Sequence, residues 1–183
     1  MKLNSRYSLH VRLREIAESN HLEIQVVEVG LGFGDFATYL LDSVGDVMAL
    51  TSVESWRGKF MKRRMVDCRE EVLERMCEYC DDPVLYSYKV LEMDSVEGST
   101  HFENDSLDCV YIDAGHDYRN VIADLRAWYP KVRSGGIFSG HDYKEFGVPG
   151  VRNAVNEFFK AYGLKLGVTR DVNPNPSWFC VKP

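Results

Sequence analysis

The chain contains no run of eighteen apolar residues, which removes a membrane-spanning helix from consideration. Its opening stretch, Met1-Lys-Leu-Asn-Ser-Arg-Tyr7, lacks the apolar core and cleavage site of a secretory leader, so a cytoplasmic protein without a membrane partner is expected. Positive charge is also short: 22 Lys and Arg against 28 Asp and Glu leave a formal net charge of -6. Neutralising nucleic-acid phosphates takes clustered cations, so nucleic acid is not an expected partner. The five cysteines, at 68, 77, 80, 109 and 180, are odd in number and have no secretory context, which predicts reduced thiols. Cys77-x-x-Cys80 has zinc-like spacing, yet no second Cys or His pair accompanies it and it closes a charged helix instead of following a strand. We read it as structural or incidental. No fixed-period repeat or low-complexity tract appears. A length of 183 residues with 45% apolar residues suits a single domain, 1–183, with 1–22 as a leading helical segment.

What is present is concentrated first in Val26-Val-Glu-Val-Gly-Leu-Gly-Phe-Gly-Asp35. A short apolar run ends in glycines at 30, 32 and 34 and then enters an amphipathic stretch, the pattern of a strand, a tight turn and a helix start. Glycine lets the backbone approach a ligand closely, and the N–H groups of a helix beginning at Asp35 point at it, so a nucleotide-like cofactor is the natural occupant. The dinucleotide fingerprint spaces its glycines Gly-x-Gly-x-x-Gly; here the third comes one residue early, and Glu28 stands two before the first.

Downstream, strands and helices alternate. A helix is predicted over Leu9 to Ala17, a strand over Ile24 to Val29, a helix over Asp35 to Val44, a strand over Asp46 to Val53 and a long charged helix over Gly58 to Tyr79, closed by Asp81-Asp82-Pro83. Strands follow at Val84 to Met93 and Leu107 to Ile112, with a poor helix candidate, Val96 to Phe102, between them. A helix over Tyr118 to Tyr129 stops at Pro130, a fifth strand occupies Ser134 to Gly140, and another helix runs from Val151 to Tyr162. Leu164 to Thr169 and Trp178 to Val181 read as a closing antiparallel pair at one edge, turned by Asn173-Pro-Asn-Pro176. The fold expected is a doubly wound, Rossmann-like α/β domain with a mostly parallel sheet and helices on both faces.

In open α/β sheets ligands bind outside the carboxyl ends of the strands, and acids recur there in this chain. Glu54 lies twenty residues beyond Gly34, where such folds place a carboxylate on ribose hydroxyls; the plainer reading is an acid at a helix start. Asp94-Ser95 can receive an adenine amino group or simply cap a helix. Asp113 and His116 follow the fourth strand, and His141-Asp142 follow the fifth, so four groups with acid–base or metal-ligand capacity converge on one edge. Arg57, Lys59, Lys62, Arg63 and Arg64 read either as a solvated basic helix start or as a site for an anionic substrate. Trp56, Tyr118 and Tyr143 either wall an acceptor pocket or belong to the core.

Glu28-x-Gly30-x-Gly32-x-Gly34 resembles motif I of class I S-adenosylmethionine-dependent methyltransferases. Tyr111-Ile-Asp-Ala-Gly-His-Asp-Tyr118, Val121 to Tyr129, Gly135 to Tyr143, Gly150 to Phe158 and Pro176 to Pro183 are similar to the group that includes macrocin O-methyltransferase-like and cephalosporin hydroxylase-like proteins. The resemblance spans nearly the whole chain beyond the first twenty residues. It implies a seven-stranded sheet and S-adenosylmethionine with its methionine portion near Glu28, Gly30 and Asp113, its ribose at Glu54 and its adenine near Asp94 and Ser95. Some members bind Mg2+ or Mn2+ through strand-end acids, which match Asp113 and Asp142. His141 stands where metal-dependent relatives carry another acid, and Gly115 where many carry an acid beside the histidine.

Methyl transfer from a sulfonium is an in-line displacement, and a hydroxyl acceptor must also lose a proton. His116 or His141 can take it, with His116 favoured, while Asp113, His141 and Asp142 form a candidate metal set. The expected reaction is O-methylation of a small molecule, a sugar hydroxyl or an anionic metabolite. A cofactor-binding protein without methyl transfer and a nicotinamide oxidoreductase are the alternatives. A homodimer is a further expectation, because so small a domain carries no cap over its acceptor.

Overall fold

A computed structural model describes residues 3–20, 23–60, 63–80, 87–144, 150–170 and 175–183. The elements are α1 Leu9–Asn20, β1 Ile24–Val29, α2 Asp35–Val44, β2 Met48–Val53, β3 Lys59–Phe60, β4 Arg63–Arg64, α3 Arg69–Cys80, β5 Ser87–Leu91, α4 Ser95–Ser99, β6 Leu107–Ile112, α5 Tyr118–Trp128, β7 Val132–Gly140, α6 Gly150–Ala161, β8 Gly167–Val168 and β9 Trp178–Val181. Seven strands form one sheet in the order β5-β2-β1-β6-β7-β9-β8, and β3 with β4 makes a separate small hairpin. The pairs among β5, β2, β1, β6 and β7 are parallel; β9 runs antiparallel to both β7 and β8. The closing pair is thus antiparallel and at the edge as expected, but the later strand lies inside and the earlier one forms the rim.

Alternating side chains divide the core between the two faces. Val26 and Leu50 pack with Leu13, Leu40, Leu41 and Met76 beneath α1, α2 and α3. Val27 and Val110 pack with Leu125, Trp128, Phe158 and Trp178 beneath α5 and α6. β6 is buried along its whole length, as a strand covered on both sides should be; its one charged residue, Asp108, accepts the Gln25 N–H at 2.8 Å and the Arg133 Nε–H at 2.6 Å. Helix starts follow from local chemistry: the Asp117 carboxylate accepts the N–H groups of Arg119 and Asn120 at 3.1 and 3.2 Å to begin α5, and α2 ends at Gly45 in a backbone conformation with φ of 66°.

The long helix expected from Gly58 is the main departure. Gly58 has a φ of 80°, and its carbonyl accepts the Met65 N–H at 3.1 Å, closing the β3–β4 hairpin. A short 3-10 turn, Met65–Asp67, follows, and the Arg64 guanidinium is pinned to Asp67 at 2.8 and 2.7 Å. Charged residues carry little periodic information, so the helix persists in fact only where Val72, Met76 and Tyr79 give it a buried stripe. Lys59, Arg63 and Arg64 therefore belong to the strands of a hairpin that Arg57 precedes, and do not share a helix. Asp81-Asp82-Pro83, the start of the third strand at Val84, Lys62, and residues 173 and 174 of the expected last turn lie outside the described residues. Val96 to Phe102 supplies only the five-residue α4. Among the described residues no helix is long and apolar enough to cross a membrane.

Candidate active site

The sheet order lays the strand-end residues out in a row. Hydrogen bonds just past the regular ladder keep them in step: Glu54 N–H to the Leu91 carbonyl at 3.0 Å, Gly30 N–H to Val53 at 2.8 Å, Asp113 N–H to Val29 at 2.7 Å and His141 N–H to Ile112 at 2.9 Å. From β5 to β7 the row reads Asp94 and Ser95, Glu54, the glycine turn, Asp113, then His141 and Asp142.

At the centre, a Cβ on Gly30 would collide with the carbonyl of Asp113, and its φ is 98°. Only glycine fits this crossing of the β1 and β6 ends. No atom lies within 4 Å of where a Gly32 Cβ would stand, so this part of the turn faces open space. Gly34 caps α2 with a φ of 81°. Glu54 holds the turn from the β2 side, its two oxygens accepting N–H groups from Gly32 at 3.2 Å and Trp56 at 2.9 Å. Each oxygen keeps a further lone pair for a ligand hydroxyl. Glu28 is 1% exposed and accepts one hydrogen bond, from Ser52 at 2.9 Å. Burial drives its pKa from the ordinary 4.5 up to about 8, against the pull of Ser52.

Toward β5, the Asp94 carboxylate accepts the Val96 N–H at 3.3 Å and caps α4, while its other oxygen lies 3.7 Å from Arg57. The Ser95 hydroxyl points inward, donating to Asp124 at 2.6 Å and accepting from the Trp128 indole at 3.0 Å. Asp124 was not foreseen; burial raises its pKa to about 6. Ser95 thus has its backbone, not its hydroxyl, to offer a ligand. Trp56 is buried in the core, with its indole bonded to Glu92 at 2.7 Å. Tyr118 and Tyr143 lie nearer the surface, tied to Glu157 at 2.6 Å and Asn156 at 2.7 Å.

Toward β7 the charged groups crowd together. His116 Nε2 lies 3.0 Å from Asp142 and 3.6 Å from Asp113, and the two carboxylates, Asp113 foremost, raise its pKa against partial burial. The ring is 48% exposed. His141 is only 11% exposed, with Nδ1 at 3.7 Å from Asp113 and 3.8 Å from Asp142, and burial lowers its pKa. Asp113, His141 and Asp142 offer ligand atoms within 4.8 Å of one another. Asp142 itself has a φ of 57°, is buried, and has an Oδ1 without a hydrogen bond, although Lys144 Nζ stands 3.1 Å from it.

Two cations complete the cluster, and sequence reasoning missed both. Lys144 follows Asp142 by two residues. Arg6 comes from the segment before α1 and reaches Asp113 at 3.3 Å; no local signal marks it, because its place depends on how the leading segment returns to the sheet. A cleft of about 290 Å³ opens beside the glycine turn between Phe33, Asp35, Arg63 and α3. The larger concavity, about 470 Å³, lies between α1 and α2 and touches no strand-end residue, so the chemistry and not the size of the hollow marks the site.

This sheet order, with a glycine turn after the first strand and an acid ending the second, is that expected of a class I S-adenosylmethionine-dependent methyltransferase. Comparison with known proteins agrees: the profile of a family described as a methyltransferase domain matches residues 27–143. The chain belongs to that family, methyltransferase family 24. A curated relative, the uncharacterized protein y4gI of Sinorhizobium fredii, is 26% identical over 121 residues, which cover 64% of this chain and 13% of the relative; the chain thus spans a small part of that relative's length. Among solved structures, the O-methyltransferase NovP aligns over 95% of this chain and 79% of its own at 18% identity and a TM-score of 0.65. CalS11, a TDP-rhamnose 3′-O-methyltransferase of calicheamicin biosynthesis, aligns over 95% and 78% at 18% identity and 0.67. A protein from Corynebacterium glutamicum aligns over 96% and 81% at 15% identity and 0.67. At these identities the likeness is one of fold.

Proposed function

We infer that this chain transfers the methyl group of S-adenosylmethionine to a hydroxyl oxygen of a small molecule, with His116 taking the acceptor's proton. The observation that carries this reading is the pairing of His116 Nε2 with Asp142 at 3.0 Å beside Asp113. With Nε2 on the carboxylates, Nδ1 is left to receive a proton, and the carboxylates stabilise the imidazolium that forms, the division of labour seen wherever an acid orients a histidine base. His116 is open to an incoming molecule, whereas His141 is enclosed and held neutral. His141 suits the role of a wall or a ligand better than that of a base.

The cofactor reading follows the row of strand-end groups: adenine by Asp94 and the Ser95 backbone, ribose by Glu54, the methionine portion by Glu28, Gly30 and Asp113. The sulfonium then lies toward β6, next to the histidines, and an acceptor approaching from the β7 side meets it in line. A sugar hydroxyl or an anionic metabolite is the acceptor class we favour; the fold neighbour named for TDP-rhamnose supports a sugar, and Lys144 and Arg57 supply positive charge at the rim.

A second reading adds a metal. Asp113, His141 and Asp142 would hold it, since their ligand atoms lie within 4.8 Å of one another, and the ion would take the place of Lys144 Nζ, 3.1 Å from the buried Asp142 Oδ1. Two carboxylates and an imidazole suit Mn2+ better than Mg2+, and such an ion would lower the pKa of the acceptor hydroxyl. The test is transfer of labelled methyl from S-adenosylmethionine to a panel of sugars and hydroxylated acids, with and without chelator, in the native protein and His116→Ala. Activity unchanged by complete metal removal eliminates the metal, full turnover in His116→Ala eliminates the base, and, with amine and carbon acceptors added to the panel, methylation of those alone overturns O-methylation.

A further inference from the structure

Arg6 stands apart from the other exposed-segment arginines in being enclosed. Its side chain is 19% exposed, and the guanidinium carbon lies 5.1 Å from the centre of the Tyr7 ring and 5.2 Å from that of Phe36, so two aromatic rings flank it. Phe36 is the second residue of α2, immediately after the glycine turn. Nη2 donates to the Tyr7 hydroxyl at 3.2 Å and Nη1 to Asp113 at 3.3 Å. Both are long for bonds made by a charged donor, which settle at about 2.7–2.9 Å when ideally formed. Nε is buried and has no hydrogen-bond partner among the described residues. Of the five N–H groups of the planar guanidinium, two make these long bonds, which leaves each Nη with a further N–H to offer, a donor set matched to a carboxylate.

The surroundings explain why a cation is needed here. Glu28, Glu54, Asp113 and Asp142 all stand at or next to this sheet edge, and Lys144 is drawn to Asp142. An anionic group brought to the Gly30–Asp113 crossing meets carboxyl groups from four strands, those of Glu54, Asp113 and Asp142 beside the protonated Glu28, unless something offsets them. The structure also secures the segment that delivers Arg6: Leu3 is buried, and the Asn4 carbonyl accepts the Arg170 N–H at 3.2 Å, tying the leading segment to the chain just after β8.

We propose that Arg6 binds the α-carboxylate of the cofactor's methionine portion, so that the segment before α1 forms one wall of the donor site. The proposal rests on the cofactor placement given above. It makes Arg6 a binding residue whose effect appears only with ligands that carry the carboxylate. Removing the guanidinium weakens S-adenosylmethionine and S-adenosylhomocysteine roughly thirty-fold, the scale of losing charge-assisted hydrogen bonds. Decarboxylated S-adenosylmethionine keeps the sulfonium and the amine but not the anion, and its affinity stays level or improves in the absence of the arginine.

The test is calorimetric titration of all three ligands into the full chain, as native protein, Arg6→Ala and Arg6→Lys, with circular dichroism and thermal unfolding of each. The expected result is selective loss of the two carboxylate ligands in Arg6→Ala, with partial recovery in Arg6→Lys. Equal loss of all three ligands in a folded Arg6→Ala overturns the proposal and makes Arg6 a structural support of Asp113. Unchanged affinity for all three overturns it too. If Arg6→Ala does not fold, the native protein's own preference decides: the carboxylated ligand must bind better than the decarboxylated one, and equal binding refutes the assignment. Failure of the native protein to bind any of the three is a failure of the cofactor placement itself, and is distinguishable from every result above.

Discussion

Replacing Glu28 by glutamine tests whether a buried carboxyl in the middle of the sheet holds its proton at neutral pH. Glu28 is closed off by β2 and β6, facing Ser52 and Tyr111 in register, and its one hydrogen bond comes from Ser52, which itself accepts from Tyr88 at 3.1 Å. Burial raises its pKa from 4.5 to about 8. An unfolded chain releases this proton near 4.5 and the folded chain keeps it to about 8, so the folded state binds more protons in that window. Stability therefore falls as pH rises, by about 1.4 kcal/mol per pH unit, with about 4 to 5 kcal/mol lost by the upper end. Glutamine mimics the protonated form and has no such slope. In urea unfolding without cofactor, Glu28→Gln should lie within about 1 kcal/mol of the native protein near pH 5 and exceed it by about 4 kcal/mol near pH 8. Two curves that run parallel across this range would refute the argument. Saturation with S-adenosylmethionine, which brings positive charge toward Glu28 in the placement proposed, should flatten the native slope, and Glu28→Gln should lose cofactor affinity even while it gains stability.

The other expectations concern single positions. Gly30→Ala forces a methyl group into the Asp113 carbonyl at a φ of 98° and should cost at least about 3 kcal/mol in denaturant unfolding; a loss under 1 kcal/mol would mean that β1 and β6 do not meet as described. His116→Ala should lower kcat by about a hundred-fold or more with little change in cofactor affinity, measured by steady-state methyl transfer alongside calorimetry. Asp117→Ala removes the α5 cap and should destabilise the protein by about 1 kcal/mol, read as a shifted urea midpoint. Cys77 and Cys80 are exposed while Cys68, Cys109 and Cys180 are buried, and burial raises the Cys109 and Cys180 pKa values to about 12. A thiol reagent at neutral pH should thus label two cysteines in the native protein and the other three only on unfolding.

How far the fold was legible depends on how each element declares itself. β1, α2 and β6 fall on the residues expected because a short, mostly apolar run ended by glycine or by an acid, or a compact amphipathic stretch between two glycines, leaves few alternatives. The hairpin of β3 and β4 was hidden inside a charged stretch whose period carries no burial information. The position of β9 between β7 and β8 is a tertiary choice that two adjacent strand-like runs do not encode. At the site, the strand-end acids were readable because strand ends were readable. The inward turn of the Ser95 hydroxyl was not, since its partner Asp124 lies 29 residues on, and Arg6 reaches Asp113 across a separation of 107.

The single-file arrangement of groups along the sheet edge has a consequence for how such a protein changes. β2 and β7 are separated by β1 and β6, about 14 Å at the ordinary strand spacing, which is beyond the range at which substitutions usually couple. Losses from altering Glu54 at one end and His141 at the other should therefore multiply as independent factors. On the placement proposed, a lineage built on this sheet would exchange one acceptor for another by rewriting the turn after β7 while Glu54 and the glycine turn stay as they are.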